Sequence, residues 1–418
     1  MARYLLDLEA NTLDLEEELR SGTWRPEGYR VFRITDPKER TICAAPFRDR
    51  VVHQALVQVV ESLIERAFIF DSYACRRGKG THAALARVAR WARTRDWCLK
   101  LDIEKYFPSI DHGILLGLLD RRIRCERTLA LFARILATWS SDEAPRRLFP
   151  GDDLLTALDR PRGLPIGNLT SQFCANVYLD PVDHRIKDGL GMRAYARYCD
   201  DLVLLDGEPG RLRRARDEIT SALDRLRLTA HPRKSHLFPT SQGVPWVGFR
   251  VFPRTIHLRQ EGVRRVRRRF RKFARRLASS FHVRGALLDS TCAWLGHARH
   301  CTRPAFVDSL LGPLRPLLER SPPDPRLSKI LRKGGDGAES PLPLERVALP
   351  ERQQVRAARR QSSDIARWLA LEGEYREARL ERRKREAERR HDSGAQQPCV
   401  DLAIAPPIRT SNEQCGDA

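Results

Sequence analysis

The feature that most constrains this chain is a pair of adjacent aspartates, Asp200 and Asp201, between two short apolar runs. The stretch 193–205 is typical of two strands joined by a tight turn, with the aspartates at the tip. Residues 98–103 alternate like another strand, which ends in a third acid, Asp102. A βαββ order brings that strand end and the hairpin tip to one edge of a sheet. We therefore expect an α+β fold in which three carboxylates meet.

Three carboxylates at one sheet edge repel one another, so this pattern indicates that cations lie between them. Mg²⁺ prefers oxygen ligands and substrate phosphates, and Mn²⁺ is an alternative. Two such ions can lower the pKa of an attacking hydroxyl and stabilise a leaving pyrophosphate. Two aspartates alone in a turn usually reflect ordinary turn chemistry. The apolar strand on each side favours a catalytic role, because buried strands hold the tip rigidly.

The charge balance points to a polyanionic partner. The chain has 76 Lys and Arg against 54 Asp and Glu, a net charge of +22. Such an excess attracts nucleic-acid phosphates, and arginine suits bidentate phosphate contacts. A merely soluble basic surface, or a GC-rich genome that favours arginine, remains an alternative interpretation.

The cysteines and the amino-terminal residues bear on compartment. The ten cysteines are scattered without a CxxC pair, which argues against a disulfide framework or a zinc ribbon. The start MARYLLDLEANTLDLEEELR is acidic and lacks the layout of a signal peptide. No apolar run approaches the length needed to span a bilayer, about 18–20 residues. We expect a cytoplasmic protein with reduced thiols and no membrane partner.

Periodicity predicts the remaining organisation. Helices are indicated at 51–69, within 113–140, and at 169–186 and 211–228, and a strand at 245–251. From residue 263, apolar residues recur every three or four positions, and ten Lys or Arg lie between 259 and 276. Residues 321–343 resemble a linker, 344–391 a charged helix, and the remainder a disordered tail.

In order along the chain, six blocks from about residue 40 to 300 resemble reverse transcriptases. They are FRDRVVHQAL with SYACRRGKGTHAAL, LDIEKYFPSIDH, RGLPIGNLTSQFCANVYLD, RYCDDLVLL, HPRKSHLF and VPWVGFRVF. The resemblance implies a right-hand polymerase with fingers (1–98), palm (99–250, with a fingers or helical insertion at about 113–162) and a helical thumb (251–320). It implies RNA-directed DNA synthesis with two Mg²⁺ ions, a template RNA, a DNA or RNA primer, and dNTPs.

The resemblance also assigns the reacting groups, position by position. Asp102 and Asp200 would ligate both metal ions, the carbonyl of Ile103 would assist, and Asp201 would complete the acidic cluster. Lys234 matches the lysine proposed to protonate the leaving pyrophosphate.

Substrate contacts follow from the same match. Phe107 corresponds to the aromatic gate that excludes a 2′-hydroxyl, with plain core packing as the alternative. Arg76 corresponds to the finger arginine that grips the triphosphate, with Arg50 or Lys79 assisting. A primer grip would be formed by Trp246, Val247 and Gly248, although a buried strand tryptophan is an equally good interpretation. The basic helix would place Arg265, Arg268 and Lys272 on duplex phosphates.

The second block departs from most of the family. Ile166 stands before Gly167 where glutamine is usual, and the block closes with Ser171-Gln172. This IGxxxSQ form resembles diversity-generating retroelement enzymes, which copy a template with errors at adenines. Loss of the glutamine donor removes a hydrogen bond worth about 1 kcal/mol, which relaxes base discrimination roughly fivefold. Related bacterial defence enzymes and uncharacterised enzymes can share the pattern, and a defence-associated or group II-like reverse transcriptase remains the alternative.

Other interpretations of the same residues are possible. Cys292, His297, His300 and Cys301 suggest zinc, but helical spacing does not put all four on one face, so thumb packing is favoured. A viral-type RNA polymerase usually has GDD instead of YCDD. A maturase-like RNA-binding protein without catalysis is disfavoured by the three acids. The pattern leaves open a basic accessory protein, and we find no RNase H or endonuclease signature.

Overall fold

The computed structural model of the protein describes residues 2–35, 39–143, 147–276 and 282–312. The chain divides into two compact units, Met1–Leu344 and Glu345–Ala418, and every described residue lies in the first. The linker, charged helix and tail expected after residue 320 lie outside the described residues.

The helices, in chain order, are α1 (Ala2–Leu6), α2 (Leu8–Ser21), α3 (Phe47–Glu65), α4 (Thr81–Ala92), α5 (Tyr106–Ser109), α6 (His112–Asp120), α7 (Glu126–Ala137), α8 (Leu154–Asp159), α9 (Leu169–His184), α10 (Pro209–Arg225), α11 (Gln260–Arg276), α12 (His282–Ala298) and α13 (Pro304–Leu311). A π-helical turn, Arg185–Gly189, continues α9, and a short 3-10 turn spans Thr240–Gln242. The strands are β1 (Arg30–Ile34), β2 (Arg40–Ala44), β3 (Trp97–Asp102), β4 (Tyr195–Tyr198), β5 (Asp201–Asp206), β6 (His236–Pro239), β7 (Val244–Trp246), β8 (Phe249–Val251) and β9 (Ile256–Leu258).

A four-stranded antiparallel sheet of order β4-β5-β3-β6 forms the centre of the first unit. Side chains on alternate residues of β5 point to opposite faces, and both faces are buried. Leu202 and Leu204 join a core with residues of α6, α9 and α10, whereas Val203 and Leu205 pack with α4 and the β7–β8 hairpin. Burial on both faces explains why β5 is a continuous apolar run and keeps the hairpin tip rigid.

Two smaller sheets flank this centre. The β1–β2 hairpin stands before α3, and β7-β8-β9 forms a three-stranded antiparallel sheet before α11. On α11 the predicted apolar stripe is buried at Val263, Val266 and Phe270, and the last two pack in a small core with residues of α12 and α13. Leu277, the last residue of that stripe, lies outside the described residues.

Most predicted elements are present with shifted ends. Two predictions were wrong, the exact position of the turn at the aspartates and the single strand at 245–251. The predicted turn at Asp200-Asp201 is wrong by one residue, since Asp201 already pairs in β5 and the turn is Cys199–Asp200. The single strand predicted at 245–251 is a hairpin, because Val247 and Gly248 adopt positive φ angles of 40° and 91° and reverse the chain. Across the described ranges, no helix is both long enough and apolar enough to cross a membrane.

Candidate active site

The three predicted acids meet at one end of the central sheet. In the antiparallel register of β3 and β5, Asp102 lies directly opposite Asp201. Asp200 precedes Asp201 in the turn, and the amide of Ile103 donates to the carbonyl oxygen of Asp200 at 3.3 Å. The juxtaposition follows from strand length, because β3 ends at the level where the β4–β5 turn begins.

The electrostatics of this edge raise the pKa of Asp200 from 3.8 to about 6. Partial burial is the largest cause, since it disfavours the charged carboxylate, and Asp201 and Asp102 add like-charge repulsion. Lys234 opposes the shift. An added cation would therefore favour the charged form of Asp200.

Two lysines neutralise the other two acids. Lys234 Nζ lies 2.5 Å from Asp102 Oδ2, and Lys100 Nζ lies 3.0 Å from Asp201 Oδ1. Lys234 was predicted from its block, whereas Lys100 was missed. A signal for Lys100 exists, because it stands two residues before Asp102 and therefore shares its face of β3.

The donor set suits a hard cation, although the side chains do not form a closed cage. Among the residues that the structure describes, no group of three or more His, Cys, Asp or Glu has the arrangement of a metal site. The carboxylates of Asp102 and Asp200 and the carbonyl of Ile103 supply the oxygen ligands that Mg²⁺ and Mn²⁺ take. A divalent cation would relieve both causes of the raised pKa of Asp200, the burial of its charge and the repulsion from Asp201 and Asp102.

Phe107 lies in α5, just beyond Asp102. Its ring packs against the main core and makes an edge contact with Tyr106, with ring centroids 5.7 Å apart. The ring is partly exposed, and the carbonyl of Phe107 accepts a hydrogen bond from the amide of Leu164 at 2.8 Å. Both the gate and the core-packing interpretations remain compatible with these contacts, and the gate stays a prediction.

The second block is joined to the β1–β2 hairpin. The amide of Cys43 donates to the carbonyl of Ile166 at 2.9 Å, and the buried side chain of Asn168 bonds the backbone of Cys43 and Ala45. Gly167 has a φ of 123°, and a Cβ there would lie 2.9 Å from Ile42 Cγ2. The glycine is therefore required by the close approach of β2.

Gln172 is exposed on the first turn of α9, and Ile166 is partly exposed. Their predicted roles at the nascent base pair stay predictions. Asn168, which sequence reasoning did not single out, holds the second block against β2 through its hydrogen bonds to the backbone of Cys43 and Ala45.

The finger cations are engaged within the protein. The Arg76 guanidinium is only 5% exposed, pairs with Glu65 at 2.7 Å, and donates to the carbonyls of Ile69 and Ser72. Lys79 Nζ lies 3.2 Å from the centroid of the Phe70 ring, and burial lowers the pKa of Lys79 to about 8. Arg50 donates to the carbonyl of Ala45. Arg76 would have to leave Glu65 to grip a triphosphate, and that role stays a prediction.

The predicted primer grip is the β7–β8 turn. Trp246 is buried and its indole donates to the carbonyl of Ala84 at 3.1 Å, so the tryptophan anchors the hairpin on α4. The turn residue Gly248 lies against α12, where a Cβ on it would be 3.1 Å from the ring of His297.

The residues that suggested zinc lie near this turn and in the thumb core. The ring of His297 contacts Phe249, and the ring of His300 lies 3.9 Å from that of His82. Cys301 is buried in the α11–α13 core, and Cys292 packs against it. These contacts fit the packing interpretation that spacing favoured.

The basic face of α11 has the predicted exposure. Arg268 and Lys272 are exposed, and Arg265 is half-buried beside a cavity of 290 Å³ between α11, α12 and the Gly248 turn. The stripe on the opposite face is in the core, so arginines on this face are free to approach a duplex. Phosphate contact at the three positions stays a prediction.

One buried network under the catalytic turn was not predicted. The guanidinium of Arg197 donates to the side chains of Asp183 and Asn176 and to the carbonyl of Cys199. Nothing in the local pattern distinguishes Arg197 from the many surface arginines, because its partners on α9 are more than ten residues away.

Comparisons with known proteins find relatives that match part of the chain. The Group II intron-encoded protein LtrA of Lactococcus lactis subsp. cremoris is 25% identical over 171 residues, which are 40% of this chain and 26% of the relative. Protein YkfC of Escherichia coli (strain K12) is 24% identical over 277 residues, covering 57% of this chain and 70% of the relative. The chain thus spans about a quarter of the length of LtrA (26%).

A solved structure of telomerase from Candida albicans in complex with a fragment of telomeric RNA has a TM-score of 0.44 at 12% identity, covering 74% of this chain and 57% of that one. Because a TM-score below 0.5 is too low to assign a fold, the assignment rests on the central sheet and on the family. The family described as "Reverse transcriptase (RNA-dependent DNA polymerase)" matches residues 35–251, which is more than half of the chain. The α+β right-hand polymerase class predicted from the sequence is confirmed, and the chain belongs to the reverse transcriptase family.

Proposed function

We propose that this chain is an RNA-directed DNA polymerase that extends a DNA or RNA primer with dNTPs on a template RNA. The observation that carries the proposal is the register of β3 and β5, which sets Asp102 opposite Asp201 with Asp200 beside them. The raised pKa of Asp200 supports a divalent cation at this edge. Family membership supports the reaction class.

The chain's own residues have distinct tasks in this mechanism. Asp102, Asp200 and the carbonyl of Ile103 would hold two divalent ions, with Asp201 completing the acidic edge. When bound, the ions would lower the pKa of the primer 3′-hydroxyl and neutralise charge on the transferring phosphate. Lys234, whose Nζ lies 2.5 Å from Asp102 Oδ2, would deliver a proton to the leaving pyrophosphate.

Positioning of the substrates falls to the surrounding residues. Phe107 excludes the ribose 2′-hydroxyl, and Ile166, Gly167 and Gln172 flank the nascent base pair. Trp246, Val247 and Gly248 support the primer end, while Arg265, Arg268 and Lys272 bind duplex phosphates. Arg76 releases Glu65 and then binds the incoming triphosphate.

For the biological role we infer error-prone copying of a retroelement RNA by a cytoplasmic enzyme, alone or with a basic accessory protein. Ile166 in place of glutamine supports this subtype. A group II-like or maturase-like role is the second candidate, supported by the name of the relative LtrA. Sequencing of cDNA separates the first from a group II-like enzyme, since errors concentrated at template adenines support error-prone copying and evenly distributed errors support the group II-like role. A maturase-like protein without catalysis makes no cDNA.

Primer extension tests the reaction class. Wild-type protein with poly-rA and oligo-dT should incorporate dTTP in Mg²⁺ or Mn²⁺ and reject rUTP. Preferential use of rUTP would indicate an RNA polymerase. Binding of the RNA without extension would indicate a maturase-like binding protein and would contradict the proposal.

A further inference from the structure

A fully buried ion pair lies beside the catalytic turn. Arg197, the residue before Tyr198 in β4, donates through Nε to both oxygens of Asp183 at 2.9 Å and through Nη2 to Oδ2 at 2.7 Å. Asp183, on α9, also accepts from the hydroxyl of Tyr195 at 2.6 Å. A buried ion pair is seldom the most stable filling of a core, so what else it contacts is informative.

The remaining donors of Arg197 reach the turn itself. Nη1 donates to the carbonyl oxygen of Cys199 at 3.2 Å and to Asn176 Oδ1 at 3.0 Å. Cys199 has a φ of 59°, a left-handed conformation that a non-glycine residue adopts only when its surroundings hold it. The Arg197 contact holds that peptide group from the core side.

Asp200 is consequently held on both sides along the backbone. The peptide before it is bonded by Arg197 through the Cys199 carbonyl, and its own carbonyl accepts from Ile103 at 3.3 Å. The backbone from which its carboxylate projects is therefore held by two hydrogen bonds, one from Arg197 in β4 and one from Ile103 just after β3.

The same arginine connects the turn to the fingers. Its amide donates to the carbonyl of Asp71, and its carbonyl accepts from the amide of Tyr73, both at 3.0 Å. Asn176 Nδ2 donates to the carbonyl of Ala74 at 2.9 Å. The finger loop, α9 and the turn thus meet at Arg197 and Asn176.

We propose that Arg197 is a positioning residue, which with Asp183 and Asn176 holds the Cys199–Asp200 peptide so that the Asp200 carboxylate faces the cation site. The inference rests on the proposed function, because it assigns Arg197 an effect on that site. The planar guanidinium bonds Asp183, Asn176 and Cys199 at once, which an ammonium group on a lysine stem does not reproduce.

Arg197→Lys tests the assignment, with Arg122→Lys as the matched control. Arg122 pairs with Asp180, a buried acid on the same helix as Asp183, and does not contact the turn. We expect Arg197→Lys to lower kcat for dTTP about 10- to 100-fold, with the KM for dTTP and the Kd for primer–template unchanged. Mn²⁺ binding to the free protein, measured by electron paramagnetic resonance, should weaken about fivefold or more.

Arg122→Lys should lower the melting temperature while leaving kcat and Mn²⁺ affinity as in wild type. If Arg197→Lys destabilises the protein to a similar degree yet keeps kcat and Mn²⁺ affinity, the positioning role is overturned. If wild-type protein incorporates no nucleotide, the proposed function fails, and the Mn²⁺ comparison still decides whether Arg197 orders the acidic edge.

Asn176→Ala covers the case in which Arg197→Lys does not fold. It removes the second acceptor that orients Nη1 toward Cys199 and leaves the pair with Asp183 intact. The same phenotype at smaller amplitude is expected, with kcat lower by about fivefold and KM unchanged. A folded Asn176→Ala protein with wild-type kcat and wild-type Mn²⁺ affinity would refute the proposal.

Discussion

The acidic edge of the palm and the basic face of α11 both gather charges of one sign, but they hold them differently. At the acidic edge the carboxylates are partly buried, two have lysine partners, and the third has a raised pKa. On α11, Arg268 and Lys272 are exposed and make no ion pair with a carboxylate of the described residues. Rigid, desolvated charge makes one position decisive, whereas exposed charge acts through several weak and additive contacts.

Substitution of one acid at the palm edge should be enough to abolish catalysis. We expect Asp200→Asn to reduce dNTP incorporation by about 10³-fold or more, because a neutral amide replaces a carboxylate that would ligate the divalent cation. RNA binding should persist, since it rests on the arginine-rich surfaces. Steady-state primer extension and filter binding measure the two.

Asp206→Asn is the matched control for this prediction. It makes the same change at the other end of β5, where Asp206 pairs with Arg211, and it should keep full activity. Retention of a tenth of wild-type incorporation by Asp200→Asn would remove the metal assignment and the contrast with α11.

The same substitution should stabilise the metal-free protein at neutral pH. The pKa of Asp200 is about 6 in the folded state against 3.8, so the native state binds more protons between these values. Stability then falls as pH rises from about 4 to 6 and stays lower above, by on the order of 2 kcal/mol after allowing for partial exposure. Urea unfolding at pH 7.5 and pH 4 measures it.

Asp200→Asn should unfold at higher urea than wild type at pH 7.5, and the difference should vanish near pH 4. Mg²⁺ should stabilise wild type and have less effect on the variant. Equal stability of both proteins at pH 7.5 would mean that the ionised Asp200 carboxylate does not destabilise the folded state. Arg268→Ala, on the exposed helix, should show no such pH-dependent difference from wild type.

Phe107→Ala tests whether discrimination between dNTPs and rNTPs also depends on one rigid group. Removing the ring opens space for a 2′-hydroxyl, and we expect the relative use of rNTPs to rise about 10- to 100-fold. Competition between dTTP and rUTP on one template measures the ratio. Base choice should be unchanged, and intact rejection of rNTPs would leave Phe107 as a core residue only.

The α11 face should show graded behaviour instead. Substitution of Arg265, Arg268 and Lys272 by alanine should lower the slope of log K on log salt by about 0.7–0.9 for each phosphate that is no longer neutralised. Titration of primer–template at several salt concentrations measures the slope. Arg213→Ala, an exposed arginine on α10, serves as control, and an unchanged slope in the triple variant would mean that α11 faces another partner.

The smallest expected effect concerns base choice. If Ile166 lies against the nascent base pair, Ile166→Gln should restore a polar contact and reduce errors at template adenines about fivefold. Sugar choice should not change, which separates this variant from Phe107→Ala. Sequencing of cDNA made on an adenine-containing template measures it, and an unchanged error rate there would remove the physical basis of the error-prone subtype.

Local periodicity was sufficient for much of the architecture. The apolar strands around the acids, the helix after the second block and the apolar stripe of α11 were predicted because their signals repeat within a few residues. The turn at Cys199–Asp200 and the β7–β8 hairpin were misjudged because positive φ angles at Cys199 and Val247 leave no trace in hydrophobic pattern.

By itself the sequence determined that three acids lie at the ends of apolar strands, that the chain is strongly basic, and that its blocks follow the order of reverse transcriptases. Only the tertiary structure decided the partners of those charges. Lys100 meets Asp201 across β3 and β5, and Arg197 meets Asp183 across β4 and α9. Such pairings depend on sheet register and helix packing between residues far apart in the chain, and pattern within a short window does not record them.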